Sequence, residues 1–188
     1  MDSEKTLYII AGANGSGKTT FAEKFSKNES INFINADNIA STYKPNDIQK
    51  YKIRAGKEFF KRIKLAFYDE KSFIIETTLS GRYLINYIKE AKNHSFKISI
   101  IYLFLETERE NIYRVKSRVL KGGHNVPKAD IIRRFHRSKK LFWDTYKEMA
   151  NEWFLFFNGD DNYELVANNF EIFDNILLKT FLNGVKDE

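Results

Sequence analysis

The 188-residue sequence contains no cysteine and only two prolines. The first absence excludes disulfides, thiolate zinc sites and thiol nucleophiles, and it suits a reducing compartment. The second leaves little to interrupt helices; Pro45 and Pro127 each mark a loop ahead of a helical pattern. Internal repeats, low-complexity tracts and Gly/Ser-rich linkers are missing too. A single domain over residues 1–188 is therefore expected, a size that buries a core without staples. No apolar run reaches the roughly 18 residues that a membrane-spanning helix needs. The start, Met1-Asp2-Ser3-Glu4-Lys5, is acidic where a signal peptide would be basic. The expectation is a cytoplasmic protein with no membrane partner.

The chain does hold apolar residues in quantity, 43% of the total with 17 Phe and 10 Tyr, which excludes a disordered polymer. Their pattern alternates strand and helix. Strands are predicted at Thr6–Ala11, Ile31–Ile34, Ser72–Ile75, Lys97–Leu105 and Trp153–Phe157, with Tyr163–Val166 a candidate edge strand. Helices are predicted at Lys18–Lys27, Asp47–Tyr68, Tyr83–Asn93, Thr107–Lys121, Lys128–Asn151 and Phe170–Leu182. In the long helix, Ile53, Phe60, Ile63 and Phe67 fall at helical spacing, as do Ile131, Phe135, Phe142 and Tyr146 in the later one, and all are expected in the core. Strands separated by helices imply a three-layer α/β fold, with a mainly parallel five-stranded sheet covered on both faces.

Gly12-Ala13-Asn14-Gly15-Ser16-Gly17-Lys18-Thr19 satisfies the phosphate-loop pattern G-x-x-x-x-G-K-[ST]. The glycines let successive backbone N–H groups converge on phosphate oxygens, and the following helix turns its N-terminus to the same anion. Lys18 is expected to reach the β- and γ-phosphates, the Thr19 hydroxyl to ligate Mg²⁺, and Thr20 to line the nucleotide. The apolar strand before the loop and the helical pattern after it supply the required context. A flexible glycine loop with a chance lysine would lack both.

Two acids sit where ligands bind in open α/β sheets, beyond the carboxyl ends of strands. Asp37 follows the second strand and is a candidate to accept a substrate proton; the bland alternative is that it caps a helix beginning at Asn38. Glu76 closes the third strand, where an ionised carboxylate is costly unless paired. It is a candidate for Mg²⁺ or, given one methylene more than the usual Asp, for substrate. Thr77, Thr78, Ser80 and Arg82 follow it as a polar wall or simply as a hydroxyl-rich turn.

Charge is unevenly placed. Ten Lys/Arg and a single acid, Asp130, lie between Arg114 and Lys140, while the rest of the chain is net negative. The basic pI therefore reports one segment, not a surface built for nucleic acid. Arg114 and Arg118 lie one turn apart on one predicted helix, and Arg133 and Arg137 repeat that spacing on the next. A Gly122-Gly123-His124 turn joins them. Two such helices, within residues 107–145, form a natural helical lid over a triphosphate, whereas an ordinary solvated face would carry mixed charge. Lys116, Lys121, Lys139 and Lys140 are expected to be solvated or backbone-neutralising, and His124 is given no role.

The loop Gly12–Thr19, the Asn35-Ala36-Asp37 turn, Glu76-Thr77-Thr78 with Gly81-Arg82, and Arg118 through the Gly-Gly-His loop to Arg137-Ser138 together resemble the zeta toxin family of P-loop kinases. The resemblance runs from about Thr6 to Leu141 and rests on the ordered set of later motifs, since the P-loop alone is generic. It implies a nucleotide-kinase-like P-loop NTPase fold, ATP or GTP with Mg²⁺ as cofactors, and an antitoxin protein as partner. Characterised members phosphorylate UDP-N-acetylglucosamine. The resemblance further implies that Lys18 and Thr19 bind phosphate and Mg²⁺, that Asp37 is the general base, and that Glu76 and Thr78 bind substrate. Arg118 and Arg134 (or its neighbour Arg133) would clamp the phosphates. The leading expectation is γ-phosphate transfer to a small-molecule hydroxyl. The alternatives are a kinase of nucleic-acid ends and a nucleotide-dependent switch with little transfer.

Overall fold

The computed structural model describes residues 4–43, 48–159 and 162–186. The acidic start at Met1, the Pro45 loop and the expected helix start at Asp47 lie outside the described residues. Six strands form one sheet: β1 (Thr6–Ala11), β2 (Asn32–Ile34), β3 (Phe73–Thr77), β4 (Lys97–Phe104), β5 (Glu152–Asn158) and β6 (Tyr163–Asn168). Their spatial order is β2-β3-β1-β4-β5-β6. The first five run parallel, and β6 pairs antiparallel with β5 to close the edge, so the candidate edge strand makes a sixth.

Parallel strands covered on both sides need apolar side chains on both faces. Alternation along β1 divides them: Leu7, Ile9 and Ala11 enter the larger core, while Ile10 enters a smaller one with Ile74, Ile101 and Leu103. Helix α1 (Lys18–Glu29) covers the smaller core through Ala22, Phe21 and Phe25. The larger core is covered by α2 (Ala36–Tyr43), α3 (Ile48–Tyr68), α4 (Leu84–Asn93) and a C-terminal helix, Asn175–Lys186. Between them come α5 (Glu108–Leu120) and α6 (Lys128–Leu141), which continues through a π-helical turn, Phe142–Tyr146, into the short α7 (Lys147–Met149); the C-terminal helix is α8. Because β1 lies between β3 and β4, the chain leaves its end in opposite directions along the sheet, opening the crevice where α/β proteins bind ligands.

Several expectations need correction. Ile53 is 79% exposed, because the buried stripe of α3 runs through Ala55, Phe59, Ile63 and Phe67, and Ile53 lies off it. The C-terminal helix starts at Asn175 rather than Phe170. The Asn168 carboxamide first accepts from the amides of Phe170 and Glu171, making a turn, and Asp174 then caps the helix through the amides of Ile176 and Leu177. The helix expected over Lys128–Asn151 runs without a gap from Lys128 to Met149, but widens into the π turn, where Phe142 stacks on Tyr102 at 4.5 Å and the Tyr146 hydroxyl donates to the Gly81 carbonyl. Ile131, Phe135, Phe142 and Tyr146 are buried as expected.

Lys139 is the largest departure. It is 1% exposed, with its Nζ 4.1 Å from the Phe135 ring centroid and near Phe104 and Phe181, and that Nζ has no hydrogen-bond partner among the described residues. Burial pushes its pKa down to about 8, against the opposing pull of Glu108, Glu106 and Glu110. The unfolded chain holds this proton up to an ordinary lysine pKa of roughly 10.4, so it binds more protons than the folded chain in between. Stability from this group is least below pH 8 and rises from about pH 8 upward. Lys139→Met fills the same space without an orphaned ammonium. At pH 7 it should raise the melting temperature, a gain on the order of 1–3 kcal/mol, and flatten the alkaline rise. Thermal denaturation across pH checks both, and a lower melting temperature for the variant would refute the account.

Candidate active site

The phosphate loop begins where β1 ends. Its geometry depends on two glycines in particular. Gly17 has φ +89°, and a Cβ there would lie 2.2 Å from Asn158 Nδ2; at Gly12 a Cβ would meet the Leu103 carbonyl at 2.1 Å. Gly17 is also the N-cap of α1, with no side-chain cap and no acid in the first turn, so the leading amides of that helix stay available to an anion.

The loop is braced from three directions. Asn158 at the end of β5 donates to the Ser16 carbonyl at 2.9 Å, and the Tyr163 hydroxyl of β6 donates to the Gly17 carbonyl at 3.2 Å. From α5, Asn111 donates to the Asn14 carbonyl at 2.7 Å, and from α6, Arg134 donates to the Asn14 carboxamide oxygen at 3.1 Å.

In front of the loop lies a cavity of about 440 Å³. Its floor is Asn14, Gly15, Gly17, Lys18, Thr19 and Thr20; Gly12, Ala13 and Ser16 lie beneath and do not line it. Lys18 is buried and donates to the Ala13 carbonyl at 2.8 Å, with Glu76 Oε1 at 4.0 Å. The Thr19 hydroxyl sits 3.0 and 3.1 Å from the two Glu76 oxygens, and the Asn35 amide donates to the same carboxylate. Burial raises the Glu76 pKa and lowers that of Lys18, while each one's charge opposes the other's shift.

Asn35 also settles the role of its neighbour. Its carboxamide oxygen accepts from the amides of Asp37 and Asn38, so Asn35 caps α2, and Asp37 stands in the first turn. The capping alternative for Asp37 is thereby overturned. Among the described residues its carboxylate has no hydrogen-bond or ion-pair partner, and it lines the same cavity as Lys18 and Thr19. Thr78 lines it too, sharing a hydrogen bond with Ser80 at 3.0 Å.

Of the expected arginines, Arg114, Arg118 and Arg134 line the cavity. Arg114 donates to the carbonyls of Asn158 and Gly159, and Arg118 to that of His124, leaving the buried Arg118 Nε without a partner. A buried guanidinium N–H without a partner is costly and is unusual in a folded protein. Arg133 is not among them: it is 58% exposed and pairs outward with Asp130 at 2.8 Å. Arg82 and Arg137 line a different, smaller cavity. Helical phase explains the sorting, since Arg133 and Arg134 point about 100° apart.

Sequence reasoning missed five contributors. Asn158 stands at the carboxyl end of a strand, a position that could have marked it, and Asn111 lies one turn before Arg114. Phe59 and Phe60, with Tyr83, form the apolar end of the cavity and carried no sequence signal beyond apolarity.

A family model described as an AAA domain matches residues 7–138. An uncharacterized protein of Haemophilus influenzae is 32% identical over 125 residues, 66% of this chain and 88% of that protein. A structure from the PezAT chromosomal toxin-antitoxin system of Streptococcus pneumoniae superposes with a TM-score of 0.69 at 14% identity, covering 96% of this chain and 80% of that one. The AvrRxo1-ORF1:-ORF2 structure with ATP gives 0.74 at 16% identity over 96% of this chain, which spans 64% of that one. These likenesses show the fold, an α/β P-loop fold of the kind the zeta resemblance implied.

Gly17→Ala should weaken binding of a nucleoside triphosphate at least 10-fold by calorimetry, because the side chain displaces Asn158 and strains the loop. Gly122→Ala is the control. Gly122 has φ +84° with open space around it, so the cost of about 1–2 kcal/mol falls on stability, and any loss of affinity should be well below that of Gly17→Ala.

Proposed function

Because this chain belongs to the AAA-domain family, whose matched segment carries the phosphate loop, we propose that it is a phosphotransferase moving the γ-phosphate of ATP or GTP onto a small-molecule hydroxyl. The observation that carries this reading is the unpartnered Asp37 carboxylate lining the same cavity as Lys18 and close enough for its charge to act on it. A switch that only hydrolyses nucleotide has no need of such a group beside an aromatic-walled space.

In this reading Asp37 takes the acceptor's hydroxyl proton as its oxygen bonds to the γ-phosphorus. The bond from that phosphorus to the β–γ bridging oxygen breaks, and the nucleoside diphosphate leaves. Lys18, Arg118 and Arg134 offset charge on the transferring group, and the backbone amides at the start of α1 hold the phosphates. Arg114, Arg118 and Arg134 belong to a helical lid, α5 and α6, that excludes water when closed. Phe59, Phe60 and Tyr83 receive an apolar face of the acceptor.

The donors present fit Mg²⁺ carried in on the nucleotide. That ion takes one or two hard protein oxygens and completes its shell with phosphate and water. Thr19 and Glu76 offer such oxygens side by side. Bound there, the ion would neutralise β- and γ-phosphate charge. Among the described residues no cluster of three His, Cys, Asp or Glu exists that would hold a metal alone.

UDP-N-acetylglucosamine-like sugar nucleotides, an antitoxin partner and a cytoplasmic location come to this proposal from the zeta resemblance and the sequence. No described helix is long and apolar enough to cross a membrane. Lys18→Ala should abolish nucleotide turnover. Asp37→Asn should bind nucleotide normally but lose roughly 10²–10⁴-fold in transfer. Incubation with γ-labelled ATP and a metabolite pool, read against calorimetry of the same variants, checks this. Full transfer by Asp37→Asn would remove that residue from its role.

A further inference from the structure

A second cavity, of about 250 Å³, is lined by Arg82, Arg137, Lys140, Leu141, Asp144 and Thr145. Lys140 and Asp144 pair at 3.0 Å, which cancels one positive charge. Arg82 and Arg137 have no hydrogen-bond or ion-pair partner among the described residues. They come from separate elements, the turn before α4 and the face of α6, yet share one concavity. Both guanidinium groups are exposed, so water screens their repulsion, and an anion between them would meet two donors with no competing partner. The site is also built. The π turn after α6 places Asp144 and Thr145 on its wall, and the buried Tyr146 hydroxyl ties that turn to the Gly81 carbonyl, beside Arg82. Single π turns occur often at functional sites.

Its position relates it to the first cavity. Tyr83 lines the first and Arg82 the second; Arg134 lines the first and Arg137 the second. Residues three apart on a helix lie on one face and about 4.5 Å apart along the axis. The two cavities are therefore neighbours along α6, with Tyr83 at the division. We propose that the second cavity holds a terminal phosphate group of the acceptor, whose hydroxyl reacts in the first cavity. The charge matches: two uncompensated arginines meet a monoester carrying about −1.5 to −2 at neutral pH, and the Thr145 hydroxyl adds a donor. This inference rests on the phosphotransferase reading and narrows it to alcohols bearing a phosphate monoester, in place of sugar nucleotides, whose phosphates are diesters.

The test has two arms. With the phosphate loop filled by a non-hydrolysable ATP analogue and Mg²⁺, inorganic phosphate is titrated calorimetrically. The protein should bind it, and Arg82→Gln/Arg137→Gln should weaken that binding at least 10-fold while Arg133→Gln leaves it unchanged. Absence of binding, or equal binding by the double variant, overturns the site. In the second arm the metabolite pool is treated with alkaline phosphatase, which removes terminal monoesters and spares phosphodiesters, before the phosphatase is withdrawn and γ-labelled ATP added. Labelling should fall at least 10-fold relative to the untreated pool. Undiminished labelling overturns the assignment to the acceptor. A protein that labels neither pool but binds phosphate through Arg82 and Arg137 keeps the anion site and loses the transferase reading.

Discussion

Lys18 is buried at the start of α1, held by one backbone carbonyl and facing a carboxylate 4.0 Å away, and a charge so placed has to be compensated. Much of the molecule follows from that constraint. Glu76 ends up beside the loop because β3 lies next to β1, and it is kept there by Thr19 and by the same Asn35 that caps α2. Asn35 thus couples two events with one side chain: its amide fixes the carboxylate, and its carbonyl oxygen starts the helix that presents Asp37. Without a ligand, the loop's own carbonyl and Glu76 occupy the cation. An incoming triphosphate replaces an internal compensation with an external one rather than filling an unbalanced site.

The parts of this arrangement that were readable in advance share a property: their chemistry is contiguous in the chain. The phosphate loop reads from eight consecutive residues, and Asp37 and Glu76 from their positions at the ends of apolar strands. The arginines were readable as a group but not individually. Arg133, Arg134 and Arg137 fall within about 100° of one another on a helical wheel, so only the packing of α6 against β4 and α8 decides which one faces the first cavity. Lys139 shows the opposite error. It lies on the stripe Ile131, Phe135, Phe142 at helical spacing, so its burial was written in the periodicity, and its charge argued the other way. The braces from Asn158 and Tyr163 act across sequence separations of 142 and 146, which no local pattern encodes.

Aromatic residues carry much of the remaining organisation. Phe142, Tyr102 and Phe181 interlock beneath α6, and Phe60 stacks on Tyr87 at 4.6 Å while meeting Tyr83 edge-on. The second group connects α3 to the turn that separates the two cavities. The ring that borders the first cavity is therefore supported from behind by the core, which fixes the shape of the space that Asp37 lines.

The antiparallel hairpin of β5 and β6 has a consequence for how this architecture can be inherited. The segment shared with the family ends at residue 138, yet two of the contacts that shape the anion cradle originate at residues 158 and 163. The recognisable signature and the smallest unit able to keep its loop in working form are thus different lengths. Any relative that exchanged or shed its last strands would have to invent a new buttress, or it would retain the motif as a relic without grip.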